Sequence, residues 1–196
     1  MHQEIEIEFK NLLTKDEYDM LIISFNLTEK EKALQTNHYF DTSAMALKEN
    51  HSALRVRKKG TSYTLTLKQP HEDALLETHQ KCSENEFSRA IEEGVLPVGP
   101  VLKQINQLLN TRPDTYSYLG ELTTERIELK LDEGLLVLDK SSYFNHSDYE
   151  LEFEVTDRHE GKAAFDQLLH THSIPKRETK NKIQRFYEEK LRLTKD

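Results

Sequence analysis

The sequence EIEIEFK, residues 4–10, alternates strictly between charged and apolar side chains. Successive side chains of a β-strand point to opposite faces, so this alternation predicts a strand with one charged and one apolar face. A second segment, ELEFEV at residues 150–155, repeats the pattern with three glutamates on one face. Taken singly, each segment is most simply a solvated strand face. Because like charges on neighbouring positions repel, the two together indicate strands whose acidic faces need compensating cations.

Cationic side chains occur at strand spacing elsewhere in the chain. Arg55 and Arg57 are two residues apart, Lys68 ends the next predicted strand, and Arg126 alternates with apolar residues in a later one. For any pair alone, a surface salt bridge is the ordinary interpretation. Together, charges of both signs on strand faces are costly unless they line a wet cavity. We therefore expect a closed sheet around a polar cavity, with the apolar strand faces turned outward against amphipathic helices.

Composition excludes several classes of protein. The chain has 196 residues, a formal net charge of −8, 36% hydrophobic and 32% charged residues, which suits one domain with a lean apolar core. No segment has the roughly 18 consecutive apolar residues of a membrane span, and the acidic start does not resemble a signal peptide. The single cysteine, Cys82, excludes an internal disulfide and a multi-cysteine zinc site. We expect a cytoplasmic protein that does not bind DNA.

Capping and turn signals divide the chain into elements. Thr14–Glu17 and Ser83–Glu86 are capping boxes that predict helix starts, and Gly94 predicts a helix end. Gly60 and the segment 132–134 predict turns between strands. The predicted helices span 14–26, 83–94, 100–110, 159–171 and 178–190. The predicted strands span 4–10, 35–41, 53–58, 61–68, 74–81, 116–126, 127–131 (which can be continuous with the strand before it), 135–140 and 149–155.

The acidic strand faces favour hard divalent cations, because these ions take carboxylate oxygens. Mg²⁺ or Mn²⁺ fits best, since the sequence contains no EF-hand loop for calcium. Arginine supplies bidentate geometry to phosphate. The pattern therefore predicts a cavity that holds a multiply charged anion between arginine and lysine side chains and a carboxylate-bound metal.

An ordered series of motifs across about 180 residues resembles the CYTH domain, or triphosphate tunnel metalloenzyme, family. The chain is most similar to the small single-domain members from Gram-positive bacteria, the YjbK-like group. The motifs that carry the resemblance are Glu6-x-Glu8-x-Lys10, the YFDT segment at 39–42, LRVR at 54–57, LK at 67–68, Arg126, the late glutamate strand at 150–154, and Lys180-x-Lys182-x-x-Arg185.

The resemblance implies an α+β fold in which residues 1–196 form a single domain: a closed eight-stranded antiparallel β-barrel, or tunnel, with flanking helices. It implies metal-dependent hydrolysis of a triphosphate: inorganic triphosphate, thiamine triphosphate or a nucleoside triphosphate. Two alternatives stay open, a class IV-like adenylate cyclase and a non-catalytic triphosphate- or polyphosphate-binding module. The implied partners are a small-molecule substrate and Mg²⁺ or Mn²⁺, with no membrane and with a monomer or homodimer as the oligomeric state.

The resemblance also implies roles for individual residues, and it leaves open which two of Glu150, Glu152 and Glu154 bind metal. Lys10 and Tyr39 match a pair that orients the attacking water. If Lys180 and Lys182 both reach one ligand, the chain before Lys182 must be extended, because residues two apart do not share a helical face. The expected metal ligands are Glu6, Glu8, Glu152 and Glu154; the phosphate-binding residues are Arg55, Arg57, Lys68, Arg126, Lys180 and Lys182; further tunnel residues are Glu4, Glu77, Glu128, Asp139, Lys140, Glu150 and Arg185.

Overall fold

The computed structural model describes residues 2–27 and 32–193, and within them the chain forms eight strands and six helices. The strands are β1 (His2–Leu13), β2 (Ala33–Asp41), β3 (Ala53–Lys59), β4 (Ser62–His71), β5 (Ala74–Cys82), β6 (Ser117–Lys130), β7 (Leu135–Tyr143) and β8 (His146–Val155). The helices are α1 (Lys15–Ser24), α2 (Ala46–Glu49), α3 (Glu84–Glu93), α4 (Pro100–Leu109), α5 (Arg158–Thr171) and α6 (Lys182–Leu193).

The strands close into an antiparallel barrel, as the sequence predicted. Their order around it is β1-β5-β4-β3-β2-β6-β7-β8. Strand β1 has a different partner along each half: residues 2–6 pair with β5, and residues 7–13 pair with β8. None of the described helices is both long and apolar enough to cross a membrane.

Local signals placed most elements correctly. Both capping boxes form, with the Thr14 side chain accepting from the Glu17 backbone N–H and the Glu17 carboxylate accepting from the Thr14 backbone N–H. Gly94 ends α3 at a φ of 68°, and a Cβ there would lie 2.5 Å from the backbone oxygen of Tyr116. Gly60, at a φ of 59°, turns the chain between β3 and β4. Glycine is favoured at both positions because side chains rarely adopt this left-handed conformation.

Two helix boundaries differ from the prediction. Helix α1 ends at Ser24 rather than near residue 26. The segments 116–126 and 127–131 form one continuous strand, β6, which is the possibility that the sequence left open. The last helix begins at Lys182, four residues later than predicted. Its start is delayed because the preceding chain is bonded to β1: the Leu12 backbone N–H donates to Thr179 Oγ1 at 2.9 Å, and the Arg177 backbone N–H donates to Asn11 Oδ1 at 2.7 Å.

The short helix α2 was not predicted. Two of its backbone N–H groups are satisfied by the buried Asp41 at the end of β2, whose carboxylate accepts from Leu47 at 2.9 Å and Lys48 at 3.0 Å. An acidic side chain at a helix N-terminus stabilises the free amides there. Single-turn helices of this kind carry no periodic pattern that a sequence reading would detect.

The described residues divide into two compact units, and the first comprises residues 2–6 and 35–121. Its core lies between strands β3 and β4 and helices α2, α3 and α4. Leu65 and Leu67 of β4 are fully buried with Val101 and Ile105 of α4. In this unit the apolar strand faces pack against helices, as predicted.

The second unit comprises residues 7–27, 32–34 and 122–193. Its core packs the apolar faces of β1, β6, β7 and β8 against α1 and α5. The ring of Phe9 stacks on Phe165 with centroids 5.8 Å apart, and Phe153 and Leu151 are almost completely buried. Because side chains alternate along a strand, the acidic faces of β1 and β8 in this unit are turned away from α1 and α5.

Candidate functional site

In the first unit, the charged faces of four strands form a group that we call the Lys68 cluster. Lys68 Nζ contacts Glu6 Oε2 and lies 3.0 Å from Glu77 Oε1, while Arg55 Nη2 lies 3.9 Å from Glu77 Oε2. Lys68 and Glu77 are direct cross-strand partners on β4 and β5. The Lys68–Glu77 ion pair therefore follows directly from strand register. The cluster consists of Glu4, Glu6, Arg55, Lys68, Glu77 and His79.

Glu77 is the buried centre of this cluster, with 4% of its surface exposed. Burial alone would raise the pKa of its carboxyl, but the positive charges of Arg55 and Lys68 outweigh burial and lower the pKa to about 2. Glu4, Glu77 and His79 also place ligand atoms within 4.8 Å of one another. That geometry could hold a metal ion, although the two cations already neutralise Glu77.

Tyr39 and Arg57 occupy the neighbouring pair of strands in the first unit. Tyr39 is buried and lies opposite Arg55 in the β2–β3 register, and Asn37 lies opposite Arg57. Arg57 Nε donates to Asn37 Oδ1 at 3.0 Å. The register thus puts these four side chains on one face, and Asn37, which the sequence reading missed, orients one of the predicted phosphate-binding guanidinium groups.

In the second unit, the end of the N-terminal motif faces the acidic strand β8. Lys10 lies opposite Glu152 and Glu8 opposite Glu154 in the β1–β8 register. Lys10 Nζ is 2.8 Å from Glu8 Oε1 and also donates to Asn181 Oδ1. The lysine that was predicted to orient water is therefore held by two acceptors, one of them from the extended chain before α6.

A more deeply buried group in the second unit centres on Lys182, and we call it the Lys182 cluster. Lys182 Nζ contacts Glu152 Oε1 and lies 2.5 Å from Glu150 Oε2 and 2.9 Å from Asp139 Oδ2. Asp139, Glu150 and Glu152 expose 0%, 1% and 7% of their surfaces. Burial would lower the pKa of Lys182, but these three carboxylates hold it well above its ordinary value, so the ammonium is charged at neutral pH. The cluster consists of Arg126, Asp139, Asp148, Glu150, Glu152, Lys182 and Arg185.

Two guanidinium groups flank Lys182. Arg126 forms a two-pronged pair with Asp139, at 2.8 and 2.6 Å, and donates to Glu152 Oε2 at 2.7 Å. Arg185 donates to Asp148 Oδ2 at 2.8 Å and to Glu150 Oε2 at 2.9 Å. Burial opposes the charge on Arg126, yet Asp139 and Glu152 raise its pKa well above the ordinary value. Paired in this way, the charges satisfy one another in a low-polarity setting.

The remaining predicted residues are members of neither cluster. Lys180 Nζ is 2.6 Å from Glu188, and more than half of each side chain is exposed. Lys140 pairs with Glu125 at 2.7 Å. Glu128 is exposed, with its nearest oxygen 4.0 Å from Arg126 Nη1. Glu154 is half-buried, and its negative charge helps to raise the pKa of Arg126.

Besides Asn37, three residues of the candidate site were missed by the sequence analysis: Asp148, His79 and Asn181. Asp148 extends the alternation of the acidic strand by one step, so the same period would have found it. His79 follows Glu77 by two residues on β5, which is also a readable signal. Asn181 has no such signal, because its contact with Lys10 depends on the extended path of the chain before α6.

The donor set is suitable for a hard divalent cation. Oxygens of Asp139, Glu150 and Glu152 all lie within 2.9 Å of Lys182 Nζ. Carboxylate oxygens are the ligands that Mg²⁺ and Mn²⁺ prefer. The donor chemistry of this group therefore suits the expected metal, although only Glu152 of the three was among the predicted metal ligands.

Comparison with known proteins gives consistent matches over nearly the whole chain. The CYTH domain model matches residues 4–187. A Bacillus subtilis protein named "putative triphosphatase YjbK" is 52% identical over 190 residues, covering 97% of this chain and 98% of that protein. The crystal structure of a Bacillus halodurans protein described as a "putative adenylate cyclase" is 42% identical with a TM-score of 0.91, covering 95% of this chain and 100% of that one.

A more distant solved structure has the same fold. It is a "putative adenylyl cyclase" from Hippeastrum, described as having a dominant triphosphatase activity. Its identity is 22%, its TM-score is 0.77, and the match covers 94% of this chain and 95% of that one. At this identity the likeness concerns the fold alone.

Proposed function

This chain belongs to the CYTH domain family, and we propose that it is a metal-dependent hydrolase that cleaves a phosphoanhydride bond of a triphosphate. The relative at 52% identity, which carries a triphosphatase name, supports the reaction class. The observation that carries the proposal is the paired construction of the charged strand faces, in which lysine and arginine side chains are held among buried carboxylates. Such a surface offers cations to phosphate oxygens and carboxylates to a metal.

We assign phosphate binding to Arg55, Arg57 and Lys68 in the first unit and to Arg126 and Lys182 in the second. Arginine can donate two parallel hydrogen bonds to one phosphate group, whereas lysine acts as a point charge. The guanidinium of Arg57 is already oriented by Asn37, so its geometry is set before an anion arrives. Lys180 receives no phosphate contact in this assignment, because it is exposed and paired with Glu188.

We assign metal binding to Glu6, Glu8, Glu152 and Glu154. The pairing of Glu8 with Glu154 across β1 and β8 supports a shared role for the two acidic strands. When bound, a divalent ion supplies charge neutralisation at the phosphate oxygens. The carboxylates hold that charge in place, and the neighbouring cations take the remaining negative charge of the substrate.

Lys10 and Tyr39 are assigned to the attacking water. In the reaction the water oxygen forms a bond to the terminal phosphorus, the bridging P–O bond breaks, and the leaving diphosphate keeps the electron pair. The proton of the water passes to the released phosphate or to solvent. Lys10 Nζ is fixed by Glu8 and Asn181, which suits a group that orients water by hydrogen bonding.

The test is orthophosphate release from inorganic triphosphate, thiamine triphosphate and ATP, each with Mg²⁺, Mn²⁺ or EDTA. The Glu6→Gln variant should lose activity by about 100-fold or more, the size usual for a group that stabilises a transition state. Glu92→Gln, which changes an exposed glutamate on α3, is the matched control and should behave as wild type. Equal activity in Glu6→Gln and Glu92→Gln would overturn the assignment of Glu6.

A class IV-like adenylate cyclase is the second candidate, favoured by the name of the solved structure at 42% identity. The ATP samples separate the two candidates, since a cyclase releases cyclic AMP and diphosphate without orthophosphate. If neither product forms while triphosphate still raises the melting temperature, the chain is a non-catalytic binder and both enzymatic proposals fail.

A further inference from the structure

The point where three carboxylates converge is filled by a side chain of the protein itself. Lys182 Nζ lies 2.5 Å from Glu150 and 2.9 Å from Asp139, and it also contacts Glu152. Only 12% of the Lys182 side chain is exposed. The ammonium group is therefore the cation that these three carboxylates hold in the structure.

The carboxylates and the lysine are attached to the fold in different ways. Asp139 and Glu150 are direct partners in the β7–β8 ladder, and Glu152 follows on the same face, so the backbone fixes all three. Lys182 is the first residue of α6 and reaches them through a flexible four-carbon stem. Movement of that stem alone can withdraw the ammonium while the carboxylates stay in place.

The chain before Lys182 is anchored separately from its ammonium. Arg177 forms a two-pronged pair with Glu17, at 2.8 Å for both contacts, and its backbone N–H donates to Asn11. Thr179 Oγ1 accepts from the Leu12 backbone N–H. The segment therefore has its own attachments to β1 and α1, which remain when Lys182 leaves the carboxylates.

Charge balance leaves room for a more highly charged cation. Four carboxylates (Asp139, Asp148, Glu150 and Glu152) face two guanidinium groups (Arg126 and Arg185) in this cluster. Two negative charges remain, of which Lys182 neutralises one. A divalent ion in the same place would match both negative charges, whereas the ammonium matches one.

We propose that Lys182 is an intramolecular competitor of the divalent metal: its ammonium group occupies a metal position formed by Asp139, Glu150 and Glu152, and metal binding displaces it. This inference rests on the proposed function for the presence of the metal, and it adds Asp139 and Glu150 to the metal-binding carboxylates. The displaced ammonium is then available to the phosphates of the substrate. Metal and triphosphate therefore bind with positive coupling, because each favours the state in which Lys182 has left the carboxylates.

The first test measures Mn²⁺ binding to the full chain after EDTA treatment and without any triphosphate. Free Mn²⁺ is followed by electron paramagnetic resonance for wild type, Lys182→Met and Lys176→Met. Lys176 is the matched control, an exposed lysine on the same segment that pairs with the exposed Asp166 at 2.9 Å. Lys182→Met should bind Mn²⁺ about tenfold more tightly, a typical size for coupling between two ligands, and Lys176→Met should match wild type. Unchanged or weaker binding in Lys182→Met would overturn the proposal.

The second test uses the wild type, so it does not depend on the stability of a variant. The ammonium resonance of Lys182 is followed by nitrogen-15 NMR during titration with Mg²⁺, while calorimetry records the binding. Displacement should shift or broaden this resonance as Mg²⁺ saturates. A resonance that stays unchanged through saturation means that Lys182 is a permanent structural partner of the carboxylates.

Both tests are carried out without substrate, so their failure is distinct from failure of the proposed function. A chain that releases orthophosphate while Lys182→Met leaves Mn²⁺ affinity unchanged keeps the proposed function and loses this inference. A chain that hydrolyses no triphosphate but binds Mn²⁺ more tightly after Lys182→Met keeps this inference and loses the proposed function.

Discussion

The Lys68 and Lys182 clusters each surround a lysine with carboxylates, but they are built from different parts of the chain. Every member of the Lys68 cluster lies on a strand, and its central pair, Lys68 and Glu77, is fixed by direct cross-strand register. In the Lys182 cluster the carboxylates lie on strands, whereas Lys182 and Arg185 come from α6. Strand register is therefore sufficient to build the first cluster, and the second also needs the path of the C-terminal segment.

The two clusters also differ in burial. Lys68 and Glu6 expose 22% and 19% of their side chains, whereas Asp139 and Glu150 expose 0% and 1% of theirs. A buried charge that loses its partner cannot recover the lost interaction from water. The Lys182 cluster should therefore be the more sensitive of the two to the loss of a single charge.

The largest expected effect is on stability, from Asp139→Asn. This substitution removes the charged partner of both Arg126 and Lys182, and breaking a buried pair of this kind costs about 3–5 kcal/mol. Urea denaturation measures the change in the free energy of unfolding. The control is Glu4→Gln in the Lys68 cluster, whose side chain is 54% exposed and which should cost less than about 1 kcal/mol. Equal losses in the two variants would remove the distinction between the clusters.

A second prediction concerns the pH dependence of the Lys68 cluster. The pKa of Glu77 is lowered from 4.5 to about 2 on folding, so ionised Glu77 stabilises the fold above pH 4.5 by roughly 3 kcal/mol. This contribution is lost as the pH falls towards 2. Wild type should therefore be more stable than Glu77→Gln at neutral pH, with a difference that shrinks between pH 4.5 and 2. Urea titrations at several pH values measure the difference in the free energy of unfolding between the two proteins. A difference independent of pH would contradict the lowered pKa of Glu77.

A third prediction concerns Lys10 in the second unit. Lys10→Met should lower kcat about 100-fold, within the range for a group that positions a proton-transferring water. Asn181→Ala should lower kcat about tenfold with little change in KM, because Lys10 keeps Glu8 but loses its second acceptor. Steady-state kinetics separates the two constants. A change in KM alone would show that Asn181 serves substrate binding rather than the orientation of Lys10.

The smallest expected effect is from Lys180→Met. Its exposed pair with Glu188 should be worth less than about 0.5 kcal/mol, so the free energy of unfolding should hardly change. Calorimetric affinity for inorganic triphosphate should also stay within about twofold of wild type, whereas Lys68→Met should weaken it about tenfold or more. A comparable loss in both variants would return Lys180 to the phosphate-binding set.

The barrel was largely predictable because its strands carry strong local signals. The alternation at residues 4–10 and 150–155 gave β1 and β8, and Gly60 marked the hairpin between β3 and β4. The acidic and basic faces indicated a closed sheet, and the strand order confirms that the sheet closes. Repeating periods and turn residues are encoded within a few residues, so they can be read without the tertiary structure.

The site was less predictable wherever contacts join distant segments. Asn181 lies 171 residues from Lys10, and Lys182 lies 30 residues from Glu152. The sequence also could not predict which cation lies against the acidic face of β8, because a metal ion or a lysine from a distant segment can pair with the same glutamates. The start of α6 was misplaced for the same reason, since hydrogen bonds to Asn11 and Leu12 hold the preceding chain extended.

The position of Lys182 after β7 and β8 in the sequence bears on the order in which the second unit folds. A ribosome synthesises β7 and β8, with their acidic faces, before it adds the lysine that neutralises them. Domains generally fold as their residues emerge. The second unit can complete its charge pairing only after Lys182 and Arg185 have emerged, so this pairing belongs to its late folding steps. A prematurely terminated chain would keep the acidic strands without Lys182 and Arg185, and cellular proteases would meet it as an incompletely folded protein.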